Sequence, residues 1–111
     1  MTVTVDAPAV LAELPAAVEV AAYRIATEAL TNVIRHSTAT TAAVRLTVEM
    51  DVLRLGVLDN GVNAGPEWTP GVGLTSMSER ASELGGRCEI RYDRTGCTVD
   101  VVLPLAEGAR R

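Results

Sequence analysis

The sequence predicts an α+β two-layer sandwich, in which a mixed, mostly antiparallel sheet is covered on one face by helices. Three observations lead there. A long stretch, AAVEVAAYRIATEALTNVIRHS, has neither glycine nor proline and repeats apolar residues at helical spacing. Shorter segments alternate apolar and polar residues and arrive as adjacent pairs, which is the pattern of hairpins. A second helical segment separates the two pairs, so strands and helices do not alternate one for one as in a parallel α/β fold. With 111 residues, the chain is long enough for one domain with a single core.

In chain order, Thr2 to Val5 reads as a short first strand. Pro15 stands where a helix can begin. Val18, Ala22, Ile25, Ala26, Ala29, Leu30 and Val33 then form the apolar stripe of a helix that ends near Ser37. In AAVRLTVEM, Val44, Leu46, Val48 and Met50 alternate with other residues, and in VLRLGVLD, Leu53, Leu55 and Val57 do the same. These two strands make a hairpin that turns near Met50–Asp51. Leu74, Met77, Ala81 and Leu84 mark a second helix, stopped by Gly85-Gly86. RCEIRY and CTVDVV close the fold as a hairpin around DRTG. Pairing Tyr92 with Cys97 sets Ile90 opposite Val99 and Cys88 opposite Val101. All of these then share one apolar face, with Glu89, Arg91, Thr98 and Asp100 on the other. Pro104 ends the hairpin, so residues 1–105 form the domain and 106–111 a flexible tail.

Composition narrows the function. The chain has no phenylalanine, so its core must be aliphatic. A net charge of −4 argues against a nucleic-acid partner. No apolar run approaches the roughly 18 residues of a membrane span. The N-terminal MTVTVDAP lacks the charged and apolar regions of a signal peptide. Cys88 and Cys97 fall far apart along their hairpin, which suggests two buried, reduced thiols in a cytoplasmic protein.

Three features have the residue types for chemistry. Glu28 and Asn32 lie one helical turn apart, and Arg35 and His36 continue that row. The row is either a solvated helix face or a site, and an asparagine amide oxygen inside a helix suits Mg²⁺. Asp59 follows Leu53, Leu55 and Val57 at period two, so its carboxylate points inward at a strand end. It is either the first residue of an Asp-Asn-Gly turn or an acceptor for ligand N–H groups. GVGL, Gly71 to Leu74, sets two glycines ahead of a helix, where the backbone can approach an anion. No Gly-Lys-Ser/Thr follows, so it is not a Walker A loop, and no third glycine makes it a dinucleotide fingerprint.

Taken together, YRIATEALTNVIRHS, VLDNG and GVGLTSMSERASELGG, followed by a hairpin ending VVLPL, resemble the ATP-binding catalytic domain of two-component sensor histidine kinases. That domain has the GHKL, or Bergerat, fold. The likeness is to the subfamily of nitrate sensors and thermosensor kinases with short ATP lids, and it covers nearly the whole chain. The first segment resembles the family's N box, the second its first glycine box and the third its second glycine box.

The resemblance implies ATP and Mg²⁺ as ligands. It implies that Asn32 holds Mg²⁺ against the phosphates and that Glu28 positions groups at the γ-phosphate. Asp59 would accept a hydrogen bond from the adenine amino group, with Gly61 letting the base pack close. Gly71 and Gly73 would line the phosphate side and leave the amides around Leu74 and Thr75 free to donate. Arg35 and His36 would meet phosphate oxygens. His36 belongs to the N box, so the phosphoacceptor histidine belongs to a separate dimerisation domain, which in turn feeds a response regulator. Alone, the chain should be a monomer that binds ATP with little or no autokinase activity. Where the family often has a second glycine after Gly61, this chain has Asn63, the next-best residue for a left-handed backbone. Val62 to Pro70 would be the lid, with Trp68 either packing on closure or resting on the surface. Two other readings remain: an anti-sigma-factor-type serine kinase, and a non-catalytic nucleotide-binding module.

Overall fold

The computed structural model describes residues 1–7, 14–36, 38–61, 71–93 and 96–105, with the backbone alone at 36, 71–75, 92 and 93. The proposed lid, Asn63, Trp68 and the C-terminal tail lie outside the described residues. So do the side chains of His36, Leu74 and Thr75.

The elements are β1 (Thr2–Asp6), α1 (Ala16–His36), β2 (Thr41–Glu49), β3 (Val52–Asp59), α2 (Gly71–Glu83), β4 (Arg87–Asp93) and β5 (Gly96–Pro104). The strands form one sheet of order β1-β2-β3-β5-β4. Only β1 pairs in parallel, with β2, and the remaining neighbours are antiparallel. This is the expected two-layer sandwich. α1 packs over β2, β3 and β5, and α2 over β4 and β5.

The alternation in the sequence sets which face is covered. Leu53, Leu55 and Val57 of β3, and Val99, Val101 and Leu103 of β5, are buried under the helices. From α1, Val18, Ala22, Ile25 and Ala29 meet them, and from α2, Met77 and Ala81. Fully burying a side chain such as Ile25 or Leu55 contributes about 1.5–3 kcal/mol. The Tyr92–Cys97, Ile90–Val99 and Cys88–Val101 pairs form as the pattern predicts.

Two expectations need correction. Met50 does not extend the apolar face of β2. The turn falls at Met50–Asp51 as expected, since Glu49 pairs with Val52, and Met50 within it is 97% exposed with a left-handed φ of 51°. Cys88 and Cys97 form no disulfide and are only partly buried, and Cys88 lies on β4, an edge strand with one neighbour.

α2 ends as Gly85-Gly86 requires. Gly85 takes φ 80°, its N–H donates to the Ser82 carbonyl, and the Gly86 N–H donates to the Ala81 carbonyl. This is a Schellman closure. A Cβ on Gly86 would run into the Val102 carbonyl oxygen, so the chain enters β4 only with glycine there.

Candidate functional site

The topology gathers the three features at one end of the sandwich. β3 ends at Asp59, whose partner in β2 is Ala42. The chain leaves α1 and enters β2 at Thr41, beside that pair, so the last turns of α1 lie at the Asp59 end. The far end of α2 is anchored elsewhere: Gly86 packs on Val102, and Arg87 pairs with Val102. The 13 residues of α2 span about 20 Å. That is close to the run of β5 from Val102 back to Cys97. The N-terminus of α2 therefore returns toward Asp59.

Asp59 is half-buried on the helix-covered face, between Ala42 and Cys97 of the neighbouring strands. The Gly61 N–H donates to its Oδ1 at 2.9 Å. The Asp-Asn-Gly turn is thus real, and it uses one carboxylate oxygen only. Oδ2 has no partner among the described residues. Gly61 is buried and sits directly against this group.

Asn60 holds the turn in place. Its Oδ1 accepts the N–H groups of Thr40 (2.9 Å) and Thr41 (3.0 Å), and its Nδ2 donates to the Thr40 hydroxyl. Its backbone N–H donates to the Thr41 carbonyl at 3.3 Å. One side chain therefore ties the end of β3 to the start of β2, just past α1. Gly96 supports the same point from β5: its φ is 146°, and a Cβ there would collide with the Asp59 carbonyl oxygen. Sequence reasoning assigned neither residue a role. Asn60 shows only as turn chemistry, and the role of Gly96 depends on a contact across the sheet.

On α1, Glu28 and Asn32 are half-buried, one turn apart, beside the buried Ile25 and Ala29. Neither side chain has a hydrogen-bond partner among the described residues, although the preceding Thr27 and Thr31 bond back to their own helix. Arg35 is exposed at the helix end. α2 starts at Gly71, so Gly71 and Gly73 form its first turn instead of preceding it. The N–H groups without helical partners are those of Gly71 to Leu74, and the Thr75 amide falls inside the ladder. That first turn has no acidic residue, so its positive end of the helix dipole is uncompensated and favours an anion.

Arg80 is a further polar group that local sequence pattern does not single out. Its Nε is buried with no hydrogen-bond partner among the described residues. Ser78 bonds Cys88 of β4. Arg80, two residues on, therefore projects from the opposite flank of α2, toward α1.

Among the described residues no three His, Cys, Asp or Glu side chains cluster as a metal cage. Mg²⁺ ordinarily keeps several waters and leans on substrate phosphates. The Asn32 amide oxygen and the Glu28 carboxylate are oxygen donors of the kind Mg²⁺ takes. No described helix is long and apolar enough to cross a membrane.

Residues 17–107 match the model of a family described as histidine kinase-, DNA gyrase B- and HSP90-like ATPases. The chain is 42% identical over 86 residues to the sensor histidine kinase LiaS of Bacillus subtilis, covering 75% of this chain and 24% of that protein. It is 35% identical over 96 residues to the sensor protein VraS of Staphylococcus epidermidis, covering 84% and 28%. The chain thus spans about a quarter of the length of these curated relatives. Among solved structures it resembles the Erythrobacter litoralis EL346 blue-light activated histidine kinase. There the TM-score is 0.80 and the identity 22%, over 99% of this chain and 37% of that one. The Acinetobacter baumannii histidine kinase AdeS gives a TM-score of 0.72 at 16% identity, over 96% and 55%. At such identities the structural likeness establishes the fold.

Proposed function

The chain belongs to the family of histidine kinase-, DNA gyrase B- and HSP90-like ATPases, and from that membership we propose that it is the ATP-binding catalytic domain of a sensor histidine kinase. Asp59 carries the proposal. It is a half-buried carboxylate at a strand end, oriented by Gly61, with its second oxygen unpaired among the described residues. That oxygen accepts the adenine amino group, and the buried Gly61 lets the base approach. At the other side of the site, the free amides of the first turn of α2 and the side chains of Arg35 and His36 meet the phosphates. Asn32 would hold Mg²⁺, and Glu28 would position the γ-phosphoryl group. The metal, when bound, offsets phosphate charge.

The domain's work is positioning and charge stabilisation. The γ-phosphorus separates from the bridging oxygen of ADP and bonds to a nitrogen of a histidine on the parent's dimerisation domain. A response regulator receives the group next. Alone, the domain binds ATP with little or no autokinase activity. Residues 1–105 are the domain and 62–70 a short lid, as the family resemblance implies. The parent places this domain in the cytoplasm. The sensor-kinase names of the relatives favour this reading over a serine kinase of the anti-sigma-factor type.

Titration with a fluorescent ATP analogue, with and without Mg²⁺, tests the proposal. Saturable binding that tightens with Mg²⁺ is expected. No saturable binding at millimolar nucleotide would overturn it.

A further inference from the structure

Among the described side chains, only Arg80 has a polar atom that is buried without a hydrogen-bond partner, its Nε. No described residue bonds its two Nη groups either, and they are not among the buried atoms, so they are open to solvent. The described salt bridges, Arg54–Glu49 and Arg91–Asp100, join exposed side chains of the sheet, and neither includes Arg80. A guanidinium is charged at every ordinary pH, and half-burying it without an anion is unfavourable.

The rotation of the two helices places the Nη groups. α1 runs toward the Asp59 end and α2 runs away from it. Ser78 bonds Cys88 on β4, so that flank of α2 faces the β4 edge, and the flank of Gly73, Ser76 and Arg80 faces α1. With β4 on that side, α1 turns Glu28 and Asn32 toward α2 and Leu30 away from it, toward β2. One groove therefore has Glu28 and Asn32 on one wall and Arg80 on the other. A long helical side chain leans toward the N-terminus of its own helix. Arg80 thus points along the groove toward the free amides of the first turn of α2. Ser76 lies four residues before it, about 6 Å along the axis, and Gly73 lies beyond that. Both are small, so the path is clear.

We propose that Arg80 is a phosphate ligand, whose Nη groups bind oxygens of the nucleotide's β- and γ-phosphates from the α2 side. The inference rests on the ATP-binding reading above. Arg80 stands farther from Asp59 than the first turn of α2 does, so it meets the end of the phosphate chain and not the α-phosphate. Its planar fork matches two oxygens of one phosphate. The two walls then divide the work. Glu28 and Asn32 present oxygen atoms, which bind phosphate only through a metal. Arg80 and the α2 amides present N–H groups and positive charge, which bind it directly. No ion pair joins Arg80 to Glu28, so its charge is left for the ligand.

NMR titration of the purified chain with ATP, ADP and AMP tests this. Arg80→Met keeps the aliphatic stem and removes the charge and both Nη groups. ATP and ADP should bind about 10-fold more weakly, with and without Mg²⁺, while AMP binds with the parent's affinity. The urea midpoint should match or exceed the parent's, because no unpaired Nε is buried in the variant. Arg80→Lys keeps a charge without the fork and should fall between the two for ATP. Unchanged ATP affinity in Arg80→Met would overturn the assignment and leave the ATP reading standing. So would a lysine variant no stronger than the methionine one. An equal loss for AMP with a lowered urea midpoint would also overturn it, since Arg80 would then act through the fold. A parent chain that binds none of the three nucleotides would overturn the ATP reading and this inference together.

Discussion

The two ends of the sandwich follow opposite rules. At the end away from Asp59, polar backbone groups find partners. α2 stops in a Schellman closure, the Leu105 N–H donates to the Asp51 carbonyl, and Leu53 and Leu103 are fully buried nearby. At the Asp59 end, the supporting groups are tightly bonded while the groups they present are not. Asn60 makes every hydrogen bond its amide oxygen and backbone N–H can offer, yet Glu28, Asn32 and one oxygen of Asp59 have no described partner. Leaving a polar group unpaired in a partly dry setting costs about 1–3 kcal/mol. A fold tolerates that where a ligand completes the bonds, and the proposed site rests on this contrast.

The largest effect should come from the closed end. Gly86→Ala forces a Cβ into the Val102 carbonyl and should cost about 3 kcal/mol in urea unfolding. Nucleotide affinity per folded molecule should not change, because the strain lies the length of α2 away. A parallel loss of affinity would mean that the two ends are coupled. Next is Asp59→Asn. The amide oxygen can still accept from Gly61, so unfolding should shift by less than about 1 kcal/mol. Nucleotide binding should weaken about 10- to 100-fold with or without Mg²⁺, as for losing a hydrogen bond to a charged group. Equal binding by the variant would remove Asp59 from the site.

Asn32→Ala should act more narrowly. Binding in the presence of Mg²⁺ falls about 10-fold, while metal-free binding is unchanged. Alanine is the better helix former, so the variant should gain about 0.5 kcal/mol in stability. Weaker binding with a firmer fold is what a residue kept for its ligand produces. Loss of both would return Asn32 to an ordinary helix position.

Much of this was legible in the sequence wherever one periodicity governs. The register of β4 and β5 follows from alternation alone, because a one-residue slip would turn Ile90, Val99 and Val101 to solvent. Asp59 could be aimed for the same reason. Periodicity misled at Met50, where the alternation of β2 runs on into the turn. Gly71 and Gly73 looked like loop residues. Their helix propensity is about 1 kcal/mol poorer than alanine each, yet the packing of Met77 and Ala81 draws the helix back over them. Asn60 and Gly96 act through contacts with residues far away in the chain, and nothing local in the sequence reports those contacts.

The smallest effect is a pH dependence confined to the closed end. The Cys88 thiol is raised from 9.0 to about 11, chiefly by burial, with a hydrogen bond from Ser78 opposing and the charges of Asp100 and Glu89 adding. The folded chain therefore keeps a proton that the unfolded chain gives up. The contribution of this group to stability is complete below pH 9.0, declines as the pH rises from there to about 11, and is flat beyond. Cys88→Ala should remove that slope from urea unfolding measured across the interval. Cys88 is partly exposed, so the slope will be shallower than one full proton would give. If the wild-type slope survives the substitution, another group at this end is titrating. If nucleotide affinity in wild type shows a slope over the same interval that Cys88→Ala abolishes, then Ser78 and α2 relay the change, and the closed end is not independent of the site.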